Sequence, residues 1–179
     1  MCPERESMMR KLILTASLFL LPKLIAGSQD IESLTPKRAL EMTKSEATYL
    51  VDVRSVAEYV LIGHPVMAHN IPITFWSEQE QRFTANPDFI KDLQARFKPD
   101  DTLIFICRSG GRSRKAAESA RLAGFKRTFN ISEGFEGELD SEGYRTIGGW
   151  KNSGLPYTYK IDPNLAYPAG KGSFPFSQS

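Results

Sequence analysis

The chain is poor in the side chains from which proteins build metal sites. Its 179 residues include two cysteines, Cys2 and Cys107, and two histidines, His64 and His69. Two histidines are too few for a His-based metal site, and two cysteines exclude a Cys-rich zinc site. We therefore expect no metal in this protein.

An excess of charge of one sign is also absent. The formal net charge is +2, and the lysines and arginines form no long stripe or basic helix. A nucleic-acid partner would require such a basic surface, so we expect none. The length and an apolar content of 41% are ordinary for one globular domain.

A long hydrophobic run is missing as well, but a short one lies near the N-terminus. A basic pair at 10–11 precedes the apolar run 12–21, and small residues follow at Ala26 and Gly27. The run is too short for a typical membrane span, and the order of these features is typical of a signal peptide. We predict a signal peptide over residues 1–27 and an exported, most simply periplasmic, protein. A membrane anchor retained through an uncleaved signal is the alternative.

Export would leave Cys107 as the only cysteine, because cleavage removes Cys2. A lone thiol cannot form an internal disulfide, and it would be carried into a compartment that favours oxidation. This predicts that Cys107 has a chemical task.

Strands and helices alternate along the remaining chain, which favours a parallel α/β sheet. The predicted elements are a helix from Pro36 to about Thr43, a strand Tyr49–Val53, a helical turn Glu58–Ile62, a strand Ala68–Pro72, a helix begun by Asn86-Pro87 with Ile90, Leu93 and Phe97 on one face, a strand Thr102–Ile106, a helix Ser113–Ala123 and a strand Thr128–Ile131. Residues 74–100 include a polar stretch to which we assign no role. The Pro-, Gly- and Ser-rich residues 159–179 predict a loosely ordered tail.

The segment Cys107–Ser113 carries the clearest chemistry. It follows the apolar strand and opens the next helix, and it contains two arginines and two glycines, namely Arg108, Gly110, Gly111 and Arg112. The glycines let the backbone N–H groups turn inward, while the helix dipole and the arginines add positive potential. All of these favour the thiolate form of Cys107. A small buried cysteine at a strand end is the alternative, but it leaves the glycines and arginines unexplained.

The order of the motifs resembles that of the single-domain rhodaneses, which are sulfurtransferases. The matching segments are Leu50–Arg54, Glu58–Tyr59, Gly63–His64, Ala68–Pro72, Cys107–Ser113, Ala123–Phe125, Asn130–Ile131, Glu133–Phe135, Trp150 and Gly154–Pro156. The resemblance implies a rhodanese-like α/β domain over residues 31–158, with a five-stranded parallel sheet flanked by helices on both faces.

The resemblance also implies the chemistry. Cys107 would become a persulfide, and Arg108, Ser109, Gly110, Gly111, Arg112 and Ser113 would bind the substrate. Their backbone N–H groups would surround the outer sulfur, while the two arginines would hold an oxyanion such as thiosulfate. For Arg108 the alternative is an exposed charge at the rim of the pocket. Asp52 could assist catalysis or brace the site by pairing with a nearby arginine, and we expect Asp52 and Arg54 to be supporting residues.

No cofactor is implied, and the partners would be a small anionic sulfur donor and a thiol or cyanide acceptor. A second hypothesis needs the same loop. In that case the protein would be a non-catalytic sulfur carrier that hands sulfane sulfur to a periplasmic sulfur-metabolism protein.

The main rival is phosphatase chemistry. Cysteine phosphatases place one more residue between the nucleophilic cysteine and the phosphate-binding arginine than the four that separate Cys107 from Arg112 here. A smaller loop suits a single sulfur atom better than a phosphoryl group.

Overall fold

The computed structural model describes residues 30–168. The predicted signal peptide, residues 1–27, and the last part of the predicted tail, residues 169–179, lie outside the described residues. Within 30–168, no helix combines the length and hydropathy that crossing a membrane requires.

Four helices and eleven strands make up the described chain. The helices are α1 (Pro36–Met42), α2 (Val56–Leu61), α3 (Phe89–Arg96) and α4 (Gly111–Leu122). The strands are β1 (Ser33–Leu34), β2 (Thr48–Asp52), β3 (His64–Pro65), β4 (His69–Asn70), β5 (Thr74–Ser77), β6 (Arg82–Ala85), β7 (Thr102–Ile106), β8 (Arg127–Ile131), β9 (Glu138–Leu139), β10 (Arg145–Ile147) and β11 (Tyr157–Thr158).

The central sheet has five strands in the order β1-β8-β7-β2-β4, and all its pairings are parallel. The middle strand β7 is buried at every position, which explains why its sequence is a continuous apolar run rather than an alternating one. The five-stranded parallel sheet implied by the family resemblance is confirmed.

Helices cover both faces of this sheet, as expected. Successive side chains of a strand point to opposite faces. Leu103 and Phe105 therefore join one core cluster, which includes residues of α3 and α4. Ile104 and Ile106 join the other, which includes residues of α1 and α2.

Helix starts follow local hydrogen-bonding chemistry. The Thr35 hydroxyl accepts from the N–H of Arg38 at 3.3 Å, with proline at the first position of α1, as the sequence predicts. At α3 the prediction is displaced, because the Asn86 side chain accepts from the N–H of Asp88 and the helix begins only at Phe89. Helix α4 begins two residues earlier than predicted, at Gly111 rather than Ser113.

Residues 74–85 form an antiparallel hairpin, β5–β6, which the sequence did not predict. Trp76 and Phe83 lie opposite each other with their rings edge to face, 5.4 Å between centroids, and both are about half exposed. The hairpin follows β4 at the carboxyl end of the sheet, since the N–H of Ile73 donates to the carbonyl of Val53 at 3.1 Å.

Residues 165–167 of the predicted tail pack against the domain, while residues 159–164 are exposed. Tyr167 is 5% exposed, and its hydroxyl donates to Asp92 at 2.6 Å. The N–H of Asn70, on β4, donates to the carbonyl of Leu165 at 2.8 Å. An aromatic anchor and backbone hydrogen bonds thus hold residues that composition alone marks as irregular.

Candidate active site

Cys107 lies directly after β7, at the carboxyl end of the central strand, where parallel α/β sheets place their ligand sites. Its side chain is 2% exposed, and it is the only cysteine in the part of the chain that the structure describes. The buried strand before it and α4 after it fix the position of the sulfur from both sides.

The turn between the cysteine and α4 depends on Gly110. This residue has φ +90°, in the left-handed region, and a Cβ there would collide with the main chain of Ser132. Gly111 is different, because its φ is not positive and a Cβ would meet nothing within 4 Å. Only one of the two glycines is therefore required by the shape of the turn.

A second turn, residues 132–136, lies against the cysteine loop and orients it. The N–H groups of Phe135 and Glu136 donate to the carbonyl oxygens of Cys107 and Arg108 at 2.7 and 3.0 Å. All peptide bonds described are trans, so the N–H of each peptide points opposite to its carbonyl. The N–H groups of Arg108 and Ser109 therefore point away from the second turn.

The loop leaves a row of backbone donors without protein partners. The N–H groups of Arg108, Ser109 and Gly110 donate to no other described residue. Those of residues 111–113 open α4, where a helix has no internal acceptors for them. Consecutive unpaired N–H groups at a helix start form a site for an anion.

The side chain of Ser113 reaches the sulfur directly. Its hydroxyl lies 3.2 Å from Sγ of Cys107 and 2.7 Å from Oδ1 of Asn130, and it is fully buried. The family motif predicted Ser113 as a backbone donor, while its side-chain contact and the part played by Asn130 were not foreseen.

The two arginines of the loop differ. Arg112 forms a bidentate ion pair with Glu58 on α2, with N–O distances of 2.8 and 2.5 Å. Arg108 is exposed and has no hydrogen bond or ion pair with a described residue through its side chain. We expected both arginines to hold a bound oxyanion. In the structure the carboxylate of Glu58 already contacts Arg112.

Glu58 is held ionised by this pair. Burial by itself raises the pKa of Glu58, but the hydrogen bonds and charge of Arg112, together with Ser55, outweigh burial and lower the pKa to about 2. Ser55 and Glu58 also form a reciprocal capping box at the start of α2. That motif is a local sequence signal for Glu58, which also lies in the Glu58–Tyr59 segment of the family resemblance.

Asp52 and Arg54 form an ion pair that supports the cysteine loop from the interior of the domain. Both are fully buried, and the guanidinium donates to the two carboxylate oxygens at 2.9 and 2.6 Å. Burial by itself lowers the pKa of Arg54, but the charge and hydrogen bonds of Asp52 outweigh it and keep the pKa above its ordinary value. The guanidinium also lies 4.3 Å from the ring centroid of Phe135, whose N–H holds the carbonyl of Cys107. The pairing favours the bracing role over a direct one.

The histidines take part in packing. The ring of His64 stacks on Tyr59 with 3.6 Å between centroids, and its Nδ1 lies 2.9 Å from the Tyr59 carbonyl oxygen. Burial lowers the pKa of His69 to about 4, so this side chain is neutral at physiological pH. Residues 30–168 contain no group of three or more His, Cys, Asp or Glu side chains placed to hold a metal ion.

Comparisons with known proteins identify the family of this chain. The model of the rhodanese-like domain matches residues 35–138. An uncharacterized protein of Rickettsia prowazekii is 34% identical over 112 residues, which are 62% of this chain and 83% of the relative. Thiosulfate sulfurtransferase 16, chloroplastic, of Arabidopsis thaliana is 31% identical over 106 residues, 59% of this chain and 76% of the relative.

Among solved structures, Rv0390 from M. tuberculosis superposes with a TM-score of 0.62 at 36% identity, covering 72% of this chain and 98% of that one. The family match spans more than half of the sequence and includes the Cys107 loop. The chain belongs to the rhodanese-like domain family, a family of sulfurtransferase type.

Proposed function

We propose that this protein is a sulfurtransferase that moves sulfane sulfur from thiosulfate, or a related anionic donor, to a thiophilic acceptor through a persulfide on Cys107. The supporting observation is the position of the Cys107 sulfur at the head of a loop whose N–H groups, residues 108–113, lack other partners. A cysteine sulfur beside an anion site suits a reaction in which negative charge stays on sulfur throughout.

In the first half-reaction the Cys107 thiolate attacks the sulfane sulfur of thiosulfate. A bond forms between Sγ and that sulfur, the S–S bond of thiosulfate breaks, and its electron pair leaves with sulfite. The product is an anionic persulfide whose outer sulfur carries the charge. No proton moves, so a general base is unnecessary.

In the second half-reaction a thiophile such as cyanide or a thiolate attacks the outer sulfur. The bond between the two sulfurs breaks, and its electron pair returns to Cys107 as thiolate. The loop donors stabilise the anion at the beginning and at the end of the cycle.

Anionic donors would be attracted by Arg108 and Arg112. The guanidinium of Arg112 has N–H groups beyond the two that bind Glu58, so it can contact a donor without releasing the carboxylate. Because Glu58 neutralises much of that charge, the exposed Arg108 supplies most of the attraction. Sulfur donors with a sulfonate group should therefore react faster than neutral ones of similar size.

A steady-state assay with thiosulfate and cyanide tests the proposal. Cys107→Ser should abolish turnover, and intact-protein mass spectrometry after thiosulfate treatment should show the mass of one added sulfur atom on the native chain only. A matched control combines Cys107→Ser with Ser141→Cys, which restores one thiol at an exposed position outside the loop. This variant should be as inactive as Cys107→Ser.

The same experiment separates the alternatives. A stable persulfide without turnover would favour the sulfur-carrier hypothesis over catalysis. Neither persulfide nor turnover with any sulfur donor would overturn the assignment. Hydrolysis of an aryl phosphate at a comparable rate would support phosphatase chemistry instead.

We further propose that this chemistry takes place outside the cytoplasm, on the basis of the predicted signal peptide. Cell fractionation followed by N-terminal sequencing of the recovered protein tests export. An intact N-terminus in the membrane fraction would support the uncleaved anchor.

A further inference from the structure

One buried hydroxyl, that of Ser113, lies between the reactive sulfur and an amide. Its oxygen is 3.2 Å from Sγ of Cys107, 2.7 Å from Oδ1 of Asn130 and 3.0 Å from the carbonyl oxygen of Gly110. A serine hydroxyl has one proton to donate, so it cannot satisfy all of these acceptors at once. Which acceptor receives the proton depends on the chemical state of the sulfur.

With Cys107 as a thiol, the S–H can donate to the hydroxyl oxygen while the hydroxyl donates to Asn130. With Cys107 as a thiolate, the sulfur only accepts, and a hydrogen bond to a full charge is the stronger choice for the Ser113 proton. The Asn130 oxygen then loses its donor.

An amide can adapt to that change. A half-turn of the Asn130 side chain exchanges Oδ1 for Nδ2, and the amide then donates to the Ser113 oxygen at the same short distance. A carboxylate in its place could not do this, because it only accepts. The identity of the side chain at position 130 therefore matters more than its size.

The fold keeps Asn130 in place for this role. The residue is 3% exposed on β8, opposite Phe105 of β7, and its own N–H donates to the carbonyl of Glu32 at 3.0 Å. The backbone is thus fixed by the sheet, and the amide head is the part free to turn.

We propose that Asn130 is a positioning residue that acts through Ser113, turning its amide so that the Ser113 hydroxyl donates to Cys107 whenever the sulfur is a thiolate. The catalytic part of this proposal rests on the proposed sulfurtransferase cycle. In that cycle the Ser113 hydroxyl donates to the Cys107 thiolate when it attacks the donor and again when it leaves the persulfide. When the charge moves to the outer sulfur of the persulfide, the hydroxyl donates to Asn130 instead.

Other charges near the sulfur are left unchanged by the test. They are Arg108 and Arg112 of the loop and α4, Glu58 of α2, Asp52 at the end of β2 and Arg54 after it, and Glu133 and Glu136 of the turn after β8. Their effect on Cys107 is common to all of the variants below.

The experiment measures the alkylation rate of Cys107 by iodoacetamide against pH, in the full chain and without any sulfur donor. The peptide that contains Cys107 is followed by mass spectrometry, because Cys2 also carries a thiol. Ser113→Ala should raise the midpoint of this profile by about one pH unit, so that the rate below the midpoint falls about tenfold. Ser113→Thr, which keeps a hydroxyl, should recover most of that loss. Thr128→Ala removes a buried hydroxyl from the same strand as Asn130 and should leave the midpoint unchanged.

Asn130→Asp should also raise the midpoint of the alkylation profile. Two causes contribute: the Ser113 hydroxyl donates to the new carboxylate instead of to Cys107, and the carboxylate repels the thiolate. A double-mutant comparison separates these two causes. In the Ser113→Ala background only the repulsion remains, so the shift caused by Asn130→Asp should be clearly smaller there. Equal shifts in both backgrounds would overturn the role of Asn130, and an unshifted profile in Ser113→Ala would overturn the proposal even if Asn130→Asp failed to fold.

The result is independent of turnover. The expected shifts in a protein that transfers no sulfur would support the Asn130–Ser113 role and contradict the sulfurtransferase proposal. Turnover with unshifted profiles would support the sulfurtransferase proposal and overturn the Asn130–Ser113 role.

Discussion

Replacing Glu58 with glutamine removes the charge that faces Arg112 and leaves a side chain of nearly the same shape. The pKa of Glu58 falls from an ordinary 4.5 to about 2 in the folded protein. At about 1.4 kcal/mol per pH unit this corresponds to roughly 3 kcal/mol of stability as an upper limit. The side chain is 21% exposed, so solvent screening reduces the expected loss to roughly 2 kcal/mol near neutral pH.

The sign of the pH dependence follows from the direction of the pKa shift. A carboxyl whose folded pKa is lowered contributes stability above its ordinary pKa of 4.5 and loses that contribution as the pH falls towards about 2. The native protein and Glu58→Gln should therefore differ most near neutral pH and converge in acid.

Urea denaturation at a series of pH values from about 7 to about 3 measures this difference. Glu118→Gln is the matched control, because Glu118 pairs with Arg114 on the surface of α4 at 3.2 Å with both side chains 49% exposed. It should change the free energy of unfolding by less than about 0.5 kcal/mol at any pH. A constant difference between Glu58→Gln and the native protein across the pH range would refute the reasoning, as would an equal loss in Glu118→Gln.

Other substitutions test the frame of the site. Asp52→Asn leaves the buried Arg54 charge without its partner and should cost about 3 kcal/mol or more in urea denaturation, and an unchanged transition would contradict the bracing role. Gly110→Ala and Gly124→Ala both place alanine at a positive φ, which costs roughly 1–2 kcal/mol. Only Gly110→Ala also collides with Ser132, so it should lose more stability and slow the alkylation of Cys107; equal losses would argue against a rigid turn.

Local patterns predicted the part of the fold that carries the cysteine. Strand β7 spans Thr102–Ile106 as expected, because a continuous apolar run of that length fits a strand buried on both faces. The turn at Gly110 and the helix after it follow from glycine chemistry and small alanines on one face. These signals are contained within a few neighbouring residues.

Contacts between distant segments could not be predicted in the same way. Glu58 and Arg112 are 54 positions apart, and nothing near either residue shows that they meet. The hairpin β5–β6 lacks the usual turn signal, since its positive φ of 51° falls on Gln81 rather than on glycine or asparagine. Strand β1 has two residues, too few for any periodicity to appear.

The outer strands of the sheet, β1 and β4, are each two residues long. An open strand edge is a template on which another chain can add a strand, and long edges promote aggregation. In β4 the outward N–H of Asn70 is taken by the carbonyl of Leu165, so the segment around Leu165 covers this edge. A chain cut before that segment would expose the edge, and its solubility would then depend on a part of the protein remote from the cysteine in sequence.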